Sequence, residues 1–412
     1  MGRDEGSGGQ VKREEPYMNR ETAITENAAH ILKRGVKLSD QDKFDEAIEC
    51  FNEVIALHPG YTQGYIQRGR SNWEMKRWRV AVDDFELALS LDPDNPDIRW
   101  TLCLMHLQLA DFNRGWQDIE YRWQSKKFDS PRLKTNKPLW HKDLGAEEVF
   151  VWSEQGVGDQ ILYASLLPTL RNCVKDLFVM VDARMIPMFQ RSFPNMTFMP
   201  QNARVRGFDA QIPIGSIGAE FIRKLDDIPE YAARSYLKAD LEKIGTMQRK
   251  IGKESGELIV GLSWHSGAPR IGNHKSIRLP ELEPLFKLSG VRCVSLQYGT
   301  CYADIDELEQ ATGYVVEDIP IDKRNDFDAL AGLIMACDVI VTVSNATAHL
   351  AGALGKDTYL LDANKLWYWS NTRGGRSLWY PSVKTFPREN VVTPWDKQVQ
   401  EIVDEIRVLP RG

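Results

Sequence analysis

The sequence predicts a mixed fold, α followed by α/β: a short helical solenoid, then two Rossmann-like halves with a cleft between them. Three observations predict it. A self-similarity with an offset of 34 residues runs through the first third. From Ala146 onward, short apolar runs alternate with helical stretches. A charged region near 229–257 interrupts that alternation, which then starts afresh. At roughly 150 residues per domain, 412 residues hold two or three domains. The expected divisions are a disordered tail at 1–24, helical repeats at 25–128, a first α/β half at 146–250, a second at 257–395, and a C-terminal helix and tail at 396–412.

The tail, MGRDEGSGGQVKREEPY, lacks the apolar core of a signal peptide. The repeats begin with ILKRGVKLSDQDKFDEAIECFNEVIALHPG and YIQRGRSNWEMKRWRVAVDDFELALSLDPDN. Gly35 matches Gly69, Ala47 matches Ala81, Phe51 matches Phe85, and Pro59 matches Pro93. The small residues let two helices of a hairpin approach closely, the phenylalanines fill the gap, and the prolines end the second helix. This pattern resembles the tetratricopeptide repeat family. A third unit, WTLCLMHLQLADFNRGWQDIEYRWQS, places Cys103 where Gly69 stood and Gly115 where Ala81 stood. Such divergence suits a terminal unit. Trp116, Tyr121 and Trp123 then either join it to the next domain or close the last repeat. The concave face either binds a partner or braces the rest.

Charge and composition exclude several classes. The net charge of −6 leaves no global basic field for nucleic acid, and no lysine-arginine block stands out. No apolar stretch approaches a membrane span. Six cysteines, none in a CxxC pair, fit free packed thiols and a cytoplasmic location. No set of histidines and acids has metal-ligand spacing; Asp304 and Asp306 open a helix, where acids serve as caps. GVGDQI lacks the third glycine of the dinucleotide fingerprint, and no Gly-x-Ser-x-Gly elbow is present.

In the first half, EVFVWS, LFVMVDA, NMTFMP and AQIPIG are expected strands, with ILYASLLPTLRNC a helix. The connector PEYAARSYLKADLEKIGTMQRKIGKESGE is expected to be mostly helical. In the second half, ELIVGLSW, VRCVSLQYG, DVIVTVS and TYLLDA are strands; RLPELEPLFKLSG, DFDALAGLIMAC, ATAHLAGALG and EIVDEIRVL are helices. Apolar runs suit a parallel sheet covered on both faces, whose ligands sit beyond the C-terminal strand ends.

Four strand-end stretches are candidate sites. SEQGVGD places Gly156 and Gly158 where a backbone turns sharply or a ligand comes close, with Asp159 either as a helix cap or as a general base for a hydroxyl. VSNATAHLAGALG offers a helix start at Ser344 and Asn345 whose N–H groups suit phosphate, with Thr347 and His349 on the first turn. The alternative is an ordinary capped helix with His349 bonded against the core. WHSGAPRIGNHKSIRL offers His265, Ser266, Arg270, His274, Lys275 and Ser276, whose cations suit a diphosphate leaving group. SLQYG ends in Gln297 and Tyr298, which either meet a nucleobase or merely end a strand. Later, Trp367, Tyr368, Trp369, Trp379 and Tyr380 form either a stacking wall, with Arg373 and Arg376 near phosphate, or core.

EQGVGDQILYASLLP, GLSWHSG, SIRLPELEPL, SLQYG, HLAGALG and LWYPSVKTF together resemble the heptosyltransferase-like glycosyltransferases, with a layout also similar to the repeat-bearing O-GlcNAc transferases. The resemblance implies a GT-B fold, its first half holding the acceptor and its second the donor. It implies a metal-independent, inverting glycosyltransferase without a cofactor, whose substrate is a UDP-, GDP- or ADP-sugar. Its acceptor is a protein or glycan presented by the repeats. Asp159 is then the catalytic base. The donor is met by Gly156, Gly158, Gln160, Trp264, His265, Ser266, Lys275, Gln297, Tyr298 and the helix opening Ser344, Asn345, Ala346, Thr347 and His349. One departure stands out: related enzymes often carry Asp-Thr where this chain has Ser344-Asn345, which removes a carboxylate contact to the donor. The competing expectation is an interaction protein whose repeats bind partners while a degenerate transferase fold no longer turns over. A third is a two-half sugar-nucleotide epimerase.

Overall fold

A computed structural model describes residues 25–205, 207–228, 235–267, 272–363 and 366–411. The expected tail at 1–24 and Arg270 lie outside them. Six helices come first: α1 (Glu26–Ser39), α2 (Phe44–Leu57), α3 (Thr62–Glu74), α4 (Trp78–Leu91), α5 (Pro96–Gln108) and α6 (Phe112–Gln117). They pair as three hairpins. Asp42, Lys76 and Ala110, the turn residue of each, adopt left-handed φ of 60°, 57° and 60°. That turn keeps the 34-residue spacing even in the third unit, where the glycine pattern breaks.

Close packing explains the small residues. A Cβ on Gly35 would lie 2.6 Å from Phe51 Cε1, and one on Gly69 would lie 2.8 Å from Phe85 Cδ2. In the third unit the roles reverse: Cys103 is buried on the first helix, and Gly115 on the second makes the close approach, 2.6 Å from Leu107 Cδ2.

The first α/β half is a four-stranded parallel sheet in the order β3-β2-β1-β4, with β1 (Glu148–Trp152), β2 (Asp176–Val181), β3 (Thr197–Pro200) and β4 (Ala210–Pro213). The expected single helix after β1 is two, α7 (Val157–Ala164) and α8 (Leu167–Cys173). Pro168 has no N–H to bond the preceding turn, so the chain breaks at Ser165–Leu166 and restarts with proline in its first turn.

The second half has seven strands in the order β6-β5-β7-β8-β11-β10-β9. They are β5 (Leu258–Ser263), β6 (Val291–Ser295), β7 (Val339–Val343), β8 (Thr358–Asp362), β9 (Thr372–Arg373), β10 (Arg376–Ser377) and β11 (Val383–Pro387). The first five in that order are parallel, and β10 and β9 add antiparallel steps. β5, β7 and β8 are buried at every position, in keeping with their mostly apolar sequences.

Two helical expectations are corrected. The connector is helical only over Leu241–Ile251 among its described residues; Asp240 caps that helix and Gly252, at φ 56°, ends it. The stretch RLPELEPLFKLSG gives a 3-10 turn, Leu279–Leu282, then one turn of helix, Glu283–Phe286. The last helix, Asp396–Arg407, buries Val399, Ile402, Val403 and Ile406 in the core of the second half.

The solenoid rests on both halves. Trp116 fills the space beside Gly218, where a Cβ would lie 2.6 Å from its ring, and its ring centroid is 5.6 Å from that of Trp367. Lys76 Nζ donates to the Arg388 carbonyl, and His274 Nε2 lies 3.7 Å from Asp42 Oδ1. Trp123 meets Trp152 at 5.0 Å, whereas Tyr121 stays within the repeat under the Arg99 guanidinium. Two of the three aromatics thus join the domains, and one closes the last unit.

Candidate functional site

The acidic turn runs from the C-terminal end of β1 into α7. Neither of its glycines needs a left-handed backbone. Gly156 has φ −82° and precedes the helix, and the left-handed residue is Gln155, at φ 58°. Gly158 matters for proximity instead: a Cβ there would lie 2.9 Å from His349 Cδ2. The turn therefore lies directly against the helix Ala346–Ala353 of the other half.

Asp159 is in the first turn of α7, and its Oδ2 accepts the Gly156 N–H at 3.3 Å. The cap expected of an acid there is present. Asp159 is half-buried. Burial pushes its pKa up to about 6, opposed by the Gly156 N–H and by the charge of Lys275. The carboxylate also acts electrostatically on Tyr368 and Tyr380 of the second half. Lys275, 5% exposed on the short helix Gly272–Lys275, acts on both Asp159 and His349. An acid of the first half thus feels a buried cation of the second, and its turn packs against the helix that carries His349.

His349 matches the core-bonded alternative. Its Nδ1 lies 2.9 Å from Tyr380 Oη, and its ring packs with Tyr368, Trp369 and Tyr380. Burial, then Lys275, lowers its pKa to about 3, so it is neutral at physiological pH. Ser344 Oγ accepts the Trp369 Nε1 proton at 2.9 Å. Asn345 caps the helix by accepting from Ala348 N at 3.2 Å, while its amide donates to Ser263 Oγ and the His265 carbonyl. Ala346 opens the helix, and the buried Thr347 hydroxyl has no hydrogen-bond partner among the described residues.

The remaining candidates hold the strand ends together. Gln297 Oε1 accepts from Ser263 Oγ, Trp264 N and His265 N, which ties β6 to β5. Trp264 Nε1 donates to Asp304 Oδ2 at 2.8 Å. Ser266 N donates to Ser276 Oγ, which lies 3.2 Å from His265 Nδ1. The exposed His265 faces a cavity of about 500 Å3 shared with Arg278 and Trp395. Tyr298 is half-buried, and Gln160 Oε1 accepts from Asp182 N within the first half.

The five late aromatics are all buried, so they form core rather than a stacking wall. Arg373 pairs with Asp226 at 3.1 Å, and with Arg376 it borders a separate cavity of about 330 Å3. Two features escaped sequence reading. Glu154, beside the acidic turn, is buried against Arg122 of the solenoid. The linker is also locally basic: Lys126, Lys127, Arg132, Lys134 and Lys137 stand against one acid, Asp129, before Lys142 and Asp143. Arg132, Lys134 and Lys137 line a cavity of about 450 Å3 with Trp123 and Trp152. That cluster was legible as a charge run, had composition been read locally.

No family profile matches the chain. Protein FlbA of Caulobacter vibrioides is 27% identical over 398 residues, covering 88% of this chain and 64% of its own length. The chain thus spans less than two thirds of that relative. Among solved structures, Escherichia coli ADP-heptose LPS heptosyltransferase II is 14% identical with a TM-score of 0.45, covering 63% of this chain and 97% of its own. The glycosyl transferase family 9 protein of Veillonella parvula is 12% identical with a TM-score of 0.43, covering 66% and 93%. Among the described residues no group of three or more His, Cys, Asp or Glu is arranged to hold a metal, and no helix is long and apolar enough to cross a membrane.

Proposed function

We propose that this chain is an inverting, metal-independent glycosyltransferase that moves a sugar from a nucleotide-sugar donor to a protein or glycan acceptor presented by the repeats. The observation that carries the reading is the approach of the Asp159 turn to the Ala346–Ala353 helix, Gly158 against His349, with the charge of Lys275 acting on Asp159. Asp159, with its pKa raised to about 6, is mostly ionised at pH 7 yet basic enough to accept a proton from the attacking hydroxyl. The hydroxyl attacks the anomeric carbon from the face opposite the nucleotide diphosphate, and the linkage inverts. Negative charge then grows on the leaving diphosphate, where Lys275 and the helix N-terminus oppose it. The neutral His349 adds no charge there and serves as a wall.

The test is transfer, or donor hydrolysis, across a panel of UDP-, GDP- and ADP-sugars with wild type, D159N and K275A. Turnover by wild type with loss in both variants supports the reading; equal turnover in D159N removes Asp159 as base. One observation favours a second reading, a non-catalytic interaction protein. Ser344 and Asn345, at the position where the donor carboxylate is missing, spend their side chains on Trp369, the helix cap and β5. Calorimetry that finds no nucleotide or nucleotide-sugar affinity, alongside a tight partner on the repeats, selects that reading.

A further inference from the structure

Arg122 belongs to the solenoid, in the 3-10 turn Ile119–Gln124, yet it is 1% exposed and reaches into the first α/β half. Its Nε and Nη2 donate to Glu154 Oε2 at 3.1 and 3.0 Å, and Nη2 also reaches Oε1 at 3.1 Å. Nη1 donates to the Ile119 carbonyl at 2.8 Å, and Nη2 to Ser216 Oγ at 2.8 Å. Glu154 Oε1 also accepts the Gly215 N–H at 3.0 Å; a Cβ on Gly215 would lie 2.0 Å from that oxygen. The pair is therefore built in from both sides.

Its position gives it a use. Glu154 lies two residues past the end of β1 and five before Asp159. The next residue, Gln155, holds the strained left-handed backbone, and its N–H donates to Ser130 Oγ of the linker at 3.0 Å. Two successive residues of the acidic turn are thus held by groups from the solenoid side. A buried ion pair is a poor device for stability alone, because apolar replacements of similar volume often do as well or better. A bidentate fork fixes direction and distance, which an apolar contact does not.

We infer that Arg122 is a positioning residue: through Glu154 the solenoid fixes the turn that holds Asp159 against the second half. This rests on the reading of Asp159 as the base.

The experiment uses the full chain in four forms: wild type, R122K, R122M and R122M/E154Q. Hydrogen exchange of the amides at 154–160, melting temperature, and the kcat and donor KM of transfer are measured on each. R122M strips the cation from a buried carboxyl whose charged form burial already disfavours, and is expected to melt lower. R122M/E154Q removes both buried charges, leaves the half-buried Glu120 that lies 3.2 Å from Arg122 Nη1 in wild type, and keeps an acceptor for Gly215; its melting temperature returns toward wild type. The inference expects 154–160 to stay deprotected in that double variant, with kcat down ~10²-fold and donor KM unchanged. R122K keeps the charge without the fork and falls between. Recovery of both exchange protection and kcat in the double variant overturns the inference, leaving Arg122 a structural residue only. If wild type shows no transfer, the functional reading fails, while the exchange data still judge the positioning. If R122M does not fold, R122K against wild type carries the same comparison.

Discussion

Asp159 shows how one carboxylate both caps a helix and feels a cation from the facing half. Its folded pKa of about 6 lies above the ordinary 3.8, because enclosure between two domains costs the charged form more than Gly156 and Lys275 return. Two outcomes follow from the sign. As a base it must be ionised, so kcat/KM for transfer is expected to fall as pH drops through about 6, and D159N is expected to lose ~10²–10⁴-fold at pH 7.5. A pH profile of wild type and one rate for the variant check this. For stability, a raised pKa favours the folded state fully below 3.8, and that contribution is lost as pH rises through about 6. D159N is therefore expected to melt above wild type at pH 8, with the difference gone at pH 4. The junction that carries Asp159 was legible as a glycine-flanked acid between strand and helix, with cap and base both left open; the cap is present. Arg122 was not legible. Nothing marks one arginine in a repeat as buried, and its partner stands 32 positions away.

At the level of elements, glycines decide which surfaces touch. Gly158 lets α7 lie on His349, whose ring is held by three aromatic neighbours and has little room to move. G158A is expected to force the two halves apart there, costing about 1–3 kcal/mol of stability and lowering transfer more than G156A. No atom lies closer than 3.7 Å to a Cβ at Gly156. Urea unfolding and rates on both variants separate the effects. G69A, against Phe85, is expected to cost a similar ~1–3 kcal/mol without touching the crevice, which makes it the control for mere destabilisation. Elements with one strong periodicity were legible: the repeat helices, and the apolar strands β5, β7 and β8. The misses have local causes. Pro168 divided a helix whose apolar pattern ran straight through it. β11 hid in YPSVKTFP, where prolines at 381 and 387 and a central lysine resemble a loop.

The whole molecule holds together differently from a catalytic unit carrying an appended antenna. The solenoid reaches the second half through Lys76 and Trp367, and the first half through Trp116 and Arg122. The 34-residue period announced the solenoid but not its docking, since repeat signatures record contacts between neighbouring units and not contacts with another domain. A chain beginning at Lys137 tests the consequence. It loses Trp116 from Gly218 and Trp367, and it uncovers Glu154, which Arg122 covers in the full chain. Apolar surface that the solenoid covers is then in water at about 25 cal/mol per Å2, set against the 5–15 kcal/mol that typically holds a domain together. The fragment is therefore expected to unfold at a lower temperature than the full chain, over a broader transition, and to hydrolyse donor far more slowly even when no acceptor needs presenting. Calorimetric melting and donor hydrolysis on both chains decide it. A fragment that melts sharply at the full chain's temperature and keeps its hydrolysis rate would make the solenoid an accessory after all.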